Sequence, residues 1–137
     1  MNEIEKQHVM LEIANLNQRY ARAADAADGD GFCRCFAEDG VFDRFGAEIR
    51  GRPALSNLQK HNPDIKRRHF ISNALVEFGE DGEVKGQGYL MVVTFDVKAG
   101  EQKQPVCVDY HDLYRKTHDG WVIARRTVNL AFQKNEG

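Results

Sequence analysis

Five side chains in this sequence have the chemistry of a general acid–base site, namely a carboxylate, an imidazole, a guanidinium and two phenols. They are Asp25, His69, Arg126, Tyr20 and Tyr110. A carboxylate that accepts a hydrogen bond from an imidazole fixes the tautomer of the ring and raises its basicity. Such a pair is a competent general base near neutral pH and needs neither a metal nor a cofactor. These residues are far apart in sequence, so the fold has to bring them together.

His69 lies near the start of an apolar, β-branched and aromatic stretch, residues 67–76, which is typical of a β-strand. Residues two apart share one face of a strand, so His69 is predicted to point the same way as Ile71, Asn73 and Leu75. A histidine on such a face acts as a base, as a ligand or as a core residue with its hydrogen bonds satisfied. The strand by itself does not distinguish these three roles.

The last predicted strand carries an arginine on an apolar face. Arg126 alternates in phase with Val122, Ala124 and Val128. A guanidinium keeps its charge and is costly to bury without an acceptor. Arg126 therefore either reaches water at the edge of the sheet or pairs with an anion inside, and the sequence leaves open whether it or Arg125 faces a pocket. Tyr110, on the preceding strand, has a ring that packs and a hydroxyl that needs a partner.

The elements that would position these residues are three helices followed by strands. Residues 2–25 predict a long helix with an inward stripe that includes Tyr20. Asp25 falls at its C-terminal end, where the helix dipole disfavours a carboxylate without a partner. Two short helices are predicted to end near residues 36 and 61. Strands over 67–78, 87–98, 106–116 and 121–132 predict an antiparallel meander, giving a single α+β domain over residues 1–137 with helices on one face of a curved sheet.

Composition excludes several classes of protein. The formal net charge of −2, with 19 basic and 21 acidic residues, does not favour a nucleic-acid partner. Apolar runs are too short for a membrane span, and the polar N-terminus lacks a signal peptide. Three cysteines without C-x-x-C spacing indicate reduced thiols and a cytoplasmic protein. Asp109 and His111 share a strand face, but two ligands are too few for a metal site.

Several segments in order resemble the SnoaL-like branch of the NTF2-like superfamily. They are Arg19-Tyr20 with residues 25–30, residues 36–42, Gly51-Arg52-Pro53-Ala54, His69 through Asn73, Asp109-Tyr110-x-Asp112 and residues 119–126. The resemblance covers nearly the whole chain and implies a cone-shaped half-barrel closed by helices, with a deep pocket and a homodimer or homotrimer. The fold hosts many chemistries and also non-catalytic binders.

Within this resemblance, His69 and Asp25 match a catalytic histidine–aspartate pair of eliminating enzymes such as scytalone dehydratase and bile acid 7α-dehydratase. Tyr20 matches a tyrosine of the bile acid dehydratase type, where hexachlorocyclohexane dehydrochlorinase has a lysine, and this favours loss of water over loss of halide. A second histidine that scytalone dehydratase uses has no clear counterpart, since Cys107 or Val108 falls near its place and His111 does not fit.

The resulting hypothesis is a cofactor-independent lyase, a dehydratase acting on a hydrophobic cyclic small molecule. His69, Asp25 and Tyr20 would be catalytic. The side chains expected to contact substrate are Arg126, Tyr110, Asn73, Phe42 and Met91. The alternatives are an isomerase or polyketide cyclase with the same base, and a non-catalytic module that binds a small molecule.

Overall fold

The computed structural model describes residues 1–133 and begins with the long helix that the sequence predicts. Helix α1 spans Glu3–Asp25, and the Asn2 side chain caps it by accepting a hydrogen bond from the Glu5 backbone N–H at 2.8 Å. The residues it buries include Ile13, Leu16 and Tyr20, so the predicted inward stripe is confirmed. None of the helices in the described part of the chain is long and apolar enough to cross a membrane.

Within residues 1–133, two short helices and seven strands follow. The elements after α1 are α2 (Gly29–Arg34), β1 (Phe36–Arg44), β2 (Ala47–Arg50), α3 (Arg52–Asn57), β3 (Ile65–Phe78), β4 (Val84–Asp96), β5 (Glu101–Gln102), β6 (Val106–Thr117) and β7 (Gly120–Leu130). Helix α3 ends at Asn57, short of the predicted end near residue 61. The residues after Asn57 therefore form a loop instead of continuing the helix.

The strands form one mixed, mostly antiparallel open sheet in the order β2-β1-β7-β6-β4-β3, with β5 paired to β4. The predicted antiparallel meander is present as β3, β4, β6 and β7. Strand β1 extends it by pairing parallel to β7. The α+β architecture, with N-terminal helices packed on a curved sheet, is confirmed.

The core lies between the helices and the inner face of the sheet, and two glycines of β4 make room for large side chains there. A Cβ atom on Gly88 would lie 2.5 Å from the Tyr110 hydroxyl oxygen, and one on Gly86 would lie 2.7 Å from the Tyr114 ring. Because both glycines lack that atom, the two tyrosine rings of β6 lie directly against the backbone of β4. This allows Tyr110 and Tyr114 to be buried.

Strand β3 contains a bulge that changes which residues face the core. Its register against β4 shifts between Ser72 and Leu75, and Asn73 adopts a positive φ of 53°. Before the bulge, Ile71 packs against the core; beyond it, Val76 takes that place and Leu75 is 60% exposed. The prediction that Asn73 and Leu75 share a face with His69 is therefore wrong, because an extra residue in a strand reverses its alternation.

Candidate active site

Asp25 and His69 meet where the C-terminal end of α1 crosses β3. The Asp25 Oδ1 atom lies 2.7 Å from His69 Nδ1 and also accepts the His69 backbone N–H at 2.8 Å. The side chains are 17% and 13% exposed, respectively. The two hydrogen bonds supply the partner that a carboxylate at a helix C-terminus needs. An ionised carboxylate only accepts hydrogen bonds, so it places a proton on Nδ1 and leaves the Nε2 lone pair available.

His69 borders a cavity of about 420 Å³ between the inner face of the sheet and the helices. This volume falls within the range of roughly 300–1,000 Å³ that is usual for small-molecule sites. Much of the wall is apolar or aromatic, formed by Tyr20, Ala24, Phe32, Phe42, Phe45, Leu58, Leu90, Val92, Val106, Val108 and Val128. Asp25 does not border this cavity; it lines a separate groove together with His69. The imidazole therefore stands between the carboxylate and the cavity.

Tyr20 lies on the cavity wall, in a cluster of aromatic rings. Its ring centroid is 4.9 Å from that of Phe32 and 6.3 Å from that of Phe42. Burial raises the pKa of the Tyr20 hydroxyl, although the positive charge of Arg126 opposes this. At neutral pH the residue is thus a neutral phenol that can donate a hydrogen bond.

Arg126 is 1% exposed and lies in the core rather than on the cavity wall. Its Nε and one terminal nitrogen donate to the two Asp112 carboxylate oxygens at 2.8 and 2.6 Å, and the latter nitrogen also donates to Asn17. The guanidinium carbon is 4.4 Å from the Tyr20 ring centroid and 4.5 Å from that of Tyr110. Burial alone would lower the pKa of Arg126, but the charge of Asp112 holds it well above its usual value.

The structure brings Phe42 to the cavity but not the other side chains expected to contact substrate. Arg126 and Tyr110 lie in the core, where Asp112 and the backbone of β4 hold them. Met91 faces the outer side of the sheet, since Leu90 and Val92 take the inward positions of β4. Asn73, at the bulge, lines a separate outer groove.

Residues whose place the sequence left open also lie on the outer face. Arg125 donates to Asp43 at 3.0 Å and to Glu48 at 2.9 Å. His111 is exposed and lines the outer groove, and Cys107 is half-buried beside Met91. In the described part of the chain, no three His, Cys, Asp or Glu side chains lie close enough to hold a metal ion.

The sequence profile of the SnoaL-like domain matches residues 6–127. The chain belongs to the SnoaL-like family. No curated protein matches the sequence significantly.

Solved structures share the fold of this chain. ActVI-ORFA from Streptomyces coelicolor superposes with a TM-score of 0.78 at 22% identity, over 90% of this chain and 98% of that one. An NTF2-like protein with a cystatin-like fold from Novosphingobium aromaticivorans gives 0.79 at 24% identity, over 96% and 87%. A variant of Rv3472, a protein of unknown function from Mycobacterium tuberculosis, gives 0.79 at 30% identity, over 97% and 78%.

In this SnoaL-like cavity the structure also places basic residues that the sequence reasoning missed. They are Arg44 at the end of β1, Lys60 and His61 in the loop after α3, and Arg67 on β3. Arg67 precedes His69 by two residues, so strand alternation was a signal that could have placed both on one face. Nothing local to Arg44 or His61 indicated that they line the same space.

Proposed function

We propose that this SnoaL-like protein is a cofactor-independent lyase, a dehydratase that removes water from a hydrophobic cyclic substrate with His69 as general base. The observation that carries the proposal is the 2.7 Å contact between Asp25 Oδ1 and His69 Nδ1, on an imidazole that borders the cavity. No hydrogen bond from residues 1–133 occupies the Nε2 atom of His69. That nitrogen is free to take a proton from a substrate.

The reaction proceeds by loss of a proton and a hydroxyl group from neighbouring carbons. His69 Nε2 takes the proton from the carbon next to a carbonyl, and the C–H electron pair forms the new double bond. The hydroxyl on the next carbon leaves with the proton that His69 returns, so that water is released and the imidazole is restored. Asp25 stabilises the intermediate imidazolium, and the neutral Tyr20 phenol donates a hydrogen bond to a substrate oxygen.

Two variants of the pair test this assignment. His69→Ala removes the base, and Asp25→Asn keeps the side-chain shape but removes the charge that stabilises the imidazolium. On a panel of cyclic β-hydroxy ketones, each should lower the rate of water loss by roughly 10²–10⁴-fold, the scale of general base catalysis. His111→Ala, on the exposed outer face, is the matched control and should leave the rate unchanged. Normal turnover by a folded His69→Ala variant would refute the proposal.

An isomerase or polyketide cyclase is the second candidate, because the same pair would serve it equally well. Mass spectrometry of the product separates the two, since an isomerase leaves the mass unchanged and a dehydratase removes water. The extensive apolar wall also suits a non-catalytic binding module. In that case, ligand would bind without any exchange of its acidic protons for solvent deuterium.

A further inference from the structure

The cavity that His69 borders is lined by cations and not by anions. Arg44, Lys60 and Arg67 contribute basic side chains, whereas no Asp or Glu of residues 1–133 belongs to the wall. The three basic residues come from three different parts of the chain, β1, the loop after α3 and β3. A net positive wall in a partly closed cavity attracts and concentrates anions.

Arg67 is the residue of this group that has a buried donor atom, Nη1, without a partner in residues 1–133. Burial lowers the pKa of Arg67, and the nearby charge of Arg44 lowers it further. Arg67 as a whole is half-buried, but a guanidinium only donates hydrogen bonds, so a buried N–H group without an acceptor is costly. An anion placed between the two arginines would supply the partner and relieve their repulsion.

Two arginines elsewhere in the molecule have the carboxylate partners that Arg44 and Arg67 lack. Arg126 holds the Asp112 carboxylate by two hydrogen bonds, and Arg125 contacts both Asp43 and Glu48. Neither Arg44 nor Arg67 forms an ion pair with a carboxylate in the described residues 1–133. Arg126 also has one buried terminal nitrogen without a partner, but its charge is neutralised by Asp112, whereas the charges of Arg44 and Arg67 face the cavity without a carboxylate of residues 1–133 beside them.

We propose that the cavity binds a hydrophobic carboxylate, with the carboxylate group held by Arg67 and Arg44 and the apolar body against the aromatic wall. A guanidinium fork matches a planar carboxylate through two parallel hydrogen bonds. The apolar body would contact Tyr20, Phe32, Phe42 and Val108. The carboxylate site would make the substrate of the proposed dehydratase a hydrophobic carboxylate. The inference rests on the proposed function only where it calls the ligand a substrate.

The position of Arg67 also sets where the carboxylate lies relative to the reacting carbon. Arg67 and His69 are adjacent inward positions of β3, and a strand rises about 3.3 Å per residue, so their Cα atoms are roughly 6.6 Å apart. Both side chains border the same cavity, so one ligand can contact the guanidinium and the imidazole together. The arginine would orient the substrate, which positions the correct proton at the base.

Binding of 2-naphthoate and of its neutral counterpart 2-naphthamide, measured by isothermal titration calorimetry, tests the proposal. The native protein should prefer the acid, and Arg67→Gln should weaken binding of the acid by about 10–100-fold, the usual value of a charge-assisted hydrogen bond. Binding of the amide should be unchanged. Arg68→Gln is the matched control and should leave binding of the acid unchanged, because this neighbouring arginine is exposed and does not line the cavity.

Three results would overturn the proposal. They are equal affinity for acid and amide, an unchanged affinity of a folded Arg67→Gln variant for the acid, and inorganic phosphate competing as well as 2-naphthoate does. If Arg67→Gln does not fold, Arg44→Gln applies the same test from another strand. His69→Ala should retain the preference for the acid. If the protein prefers the acid but catalyses no reaction that depends on His69, the dehydratase proposal alone is refuted. If turnover depends on His69 but the acid is not preferred over the amide, the carboxylate site alone is refuted.

Discussion

Replacing Arg126 by methionine tests whether this arginine belongs to the core or to the substrate site. Arg126→Met removes both hydrogen bonds to Asp112, the bond to Asn17 and the stacking on the rings of Tyr20 and Tyr110. The Asp112 carboxylate, with a side chain that is 0% exposed, would keep only the Tyr114 hydroxyl as a side-chain partner among residues 1–133. The variant therefore leaves a buried charge without its counter-ion.

Breaking one side of a buried ion pair costs about 3–5 kcal/mol. Each stacking contact with a ring contributes about 0.5–2 kcal/mol, and these contacts overlap with the ion pair rather than adding to it. For a domain of this size, about 4 kcal/mol lowers the melting temperature by roughly 10–20 °C. Differential scanning calorimetry or thermal circular dichroism measures this shift.

A second variant separates loss of the charge pair from loss of packing. Combining Arg126→Met with Asp112→Leu removes both charges, and replacing a buried pair by apolar groups is often neutral. The double variant should therefore recover most of the lost stability. An Arg126→Met protein that melts within about 3 °C of the native one would refute the reasoning, since that shift corresponds to less than about 1 kcal/mol.

Two further predictions concern the cavity loop and the outer face of the sheet. Burial, and to a smaller extent the charge of Arg67, lower the pKa of His61. An NMR titration of the His61 ring should therefore give a pKa below the usual value, and this pKa should rise in the Arg67→Gln variant. An unchanged pKa in that variant would contradict the prediction. In the unfolded chain, histidine has a pKa near 6.5. The contribution of neutral His61 to the stability of the fold is therefore fully present above that pH. It is lost as the pH falls from about 6.5 through the lower pKa of the folded state, because the ring then has to take up a proton inside the folded protein. The expected homodimer or homotrimer would cover the outer face, where Phe70 is 51% and Tyr89 50% exposed, and Phe70→Glu should convert it to a monomer in light scattering. A native molar mass of one chain would contradict this second prediction.

Much of the fold follows from local patterns. Helical spacing in residues 2–25 predicted the helix and its buried stripe, and alternation predicted the meander of β3, β4, β6 and β7. These patterns are readable because each depends on neighbours a few positions apart. The parallel pairing of β1 with β7 was not predicted, since it joins strands from opposite ends of the chain and no local signal specifies such a pair.

The sequence by itself identified the residue types of the candidate site, and the resemblance to SnoaL-like proteins singled out His69, Asp25 and Tyr20. The tertiary structure decided which neighbours they have. One extra residue in β3 turned Asn73 away, because a bulge reverses strand alternation. Register between β6 and β7 placed Asp112 opposite Arg126, which made that arginine part of the core. Strands β1 and β3 place Arg44 and Arg67 at one cavity that no carboxylate of residues 1–133 lines, and only the three-dimensional arrangement shows that such a partner is missing.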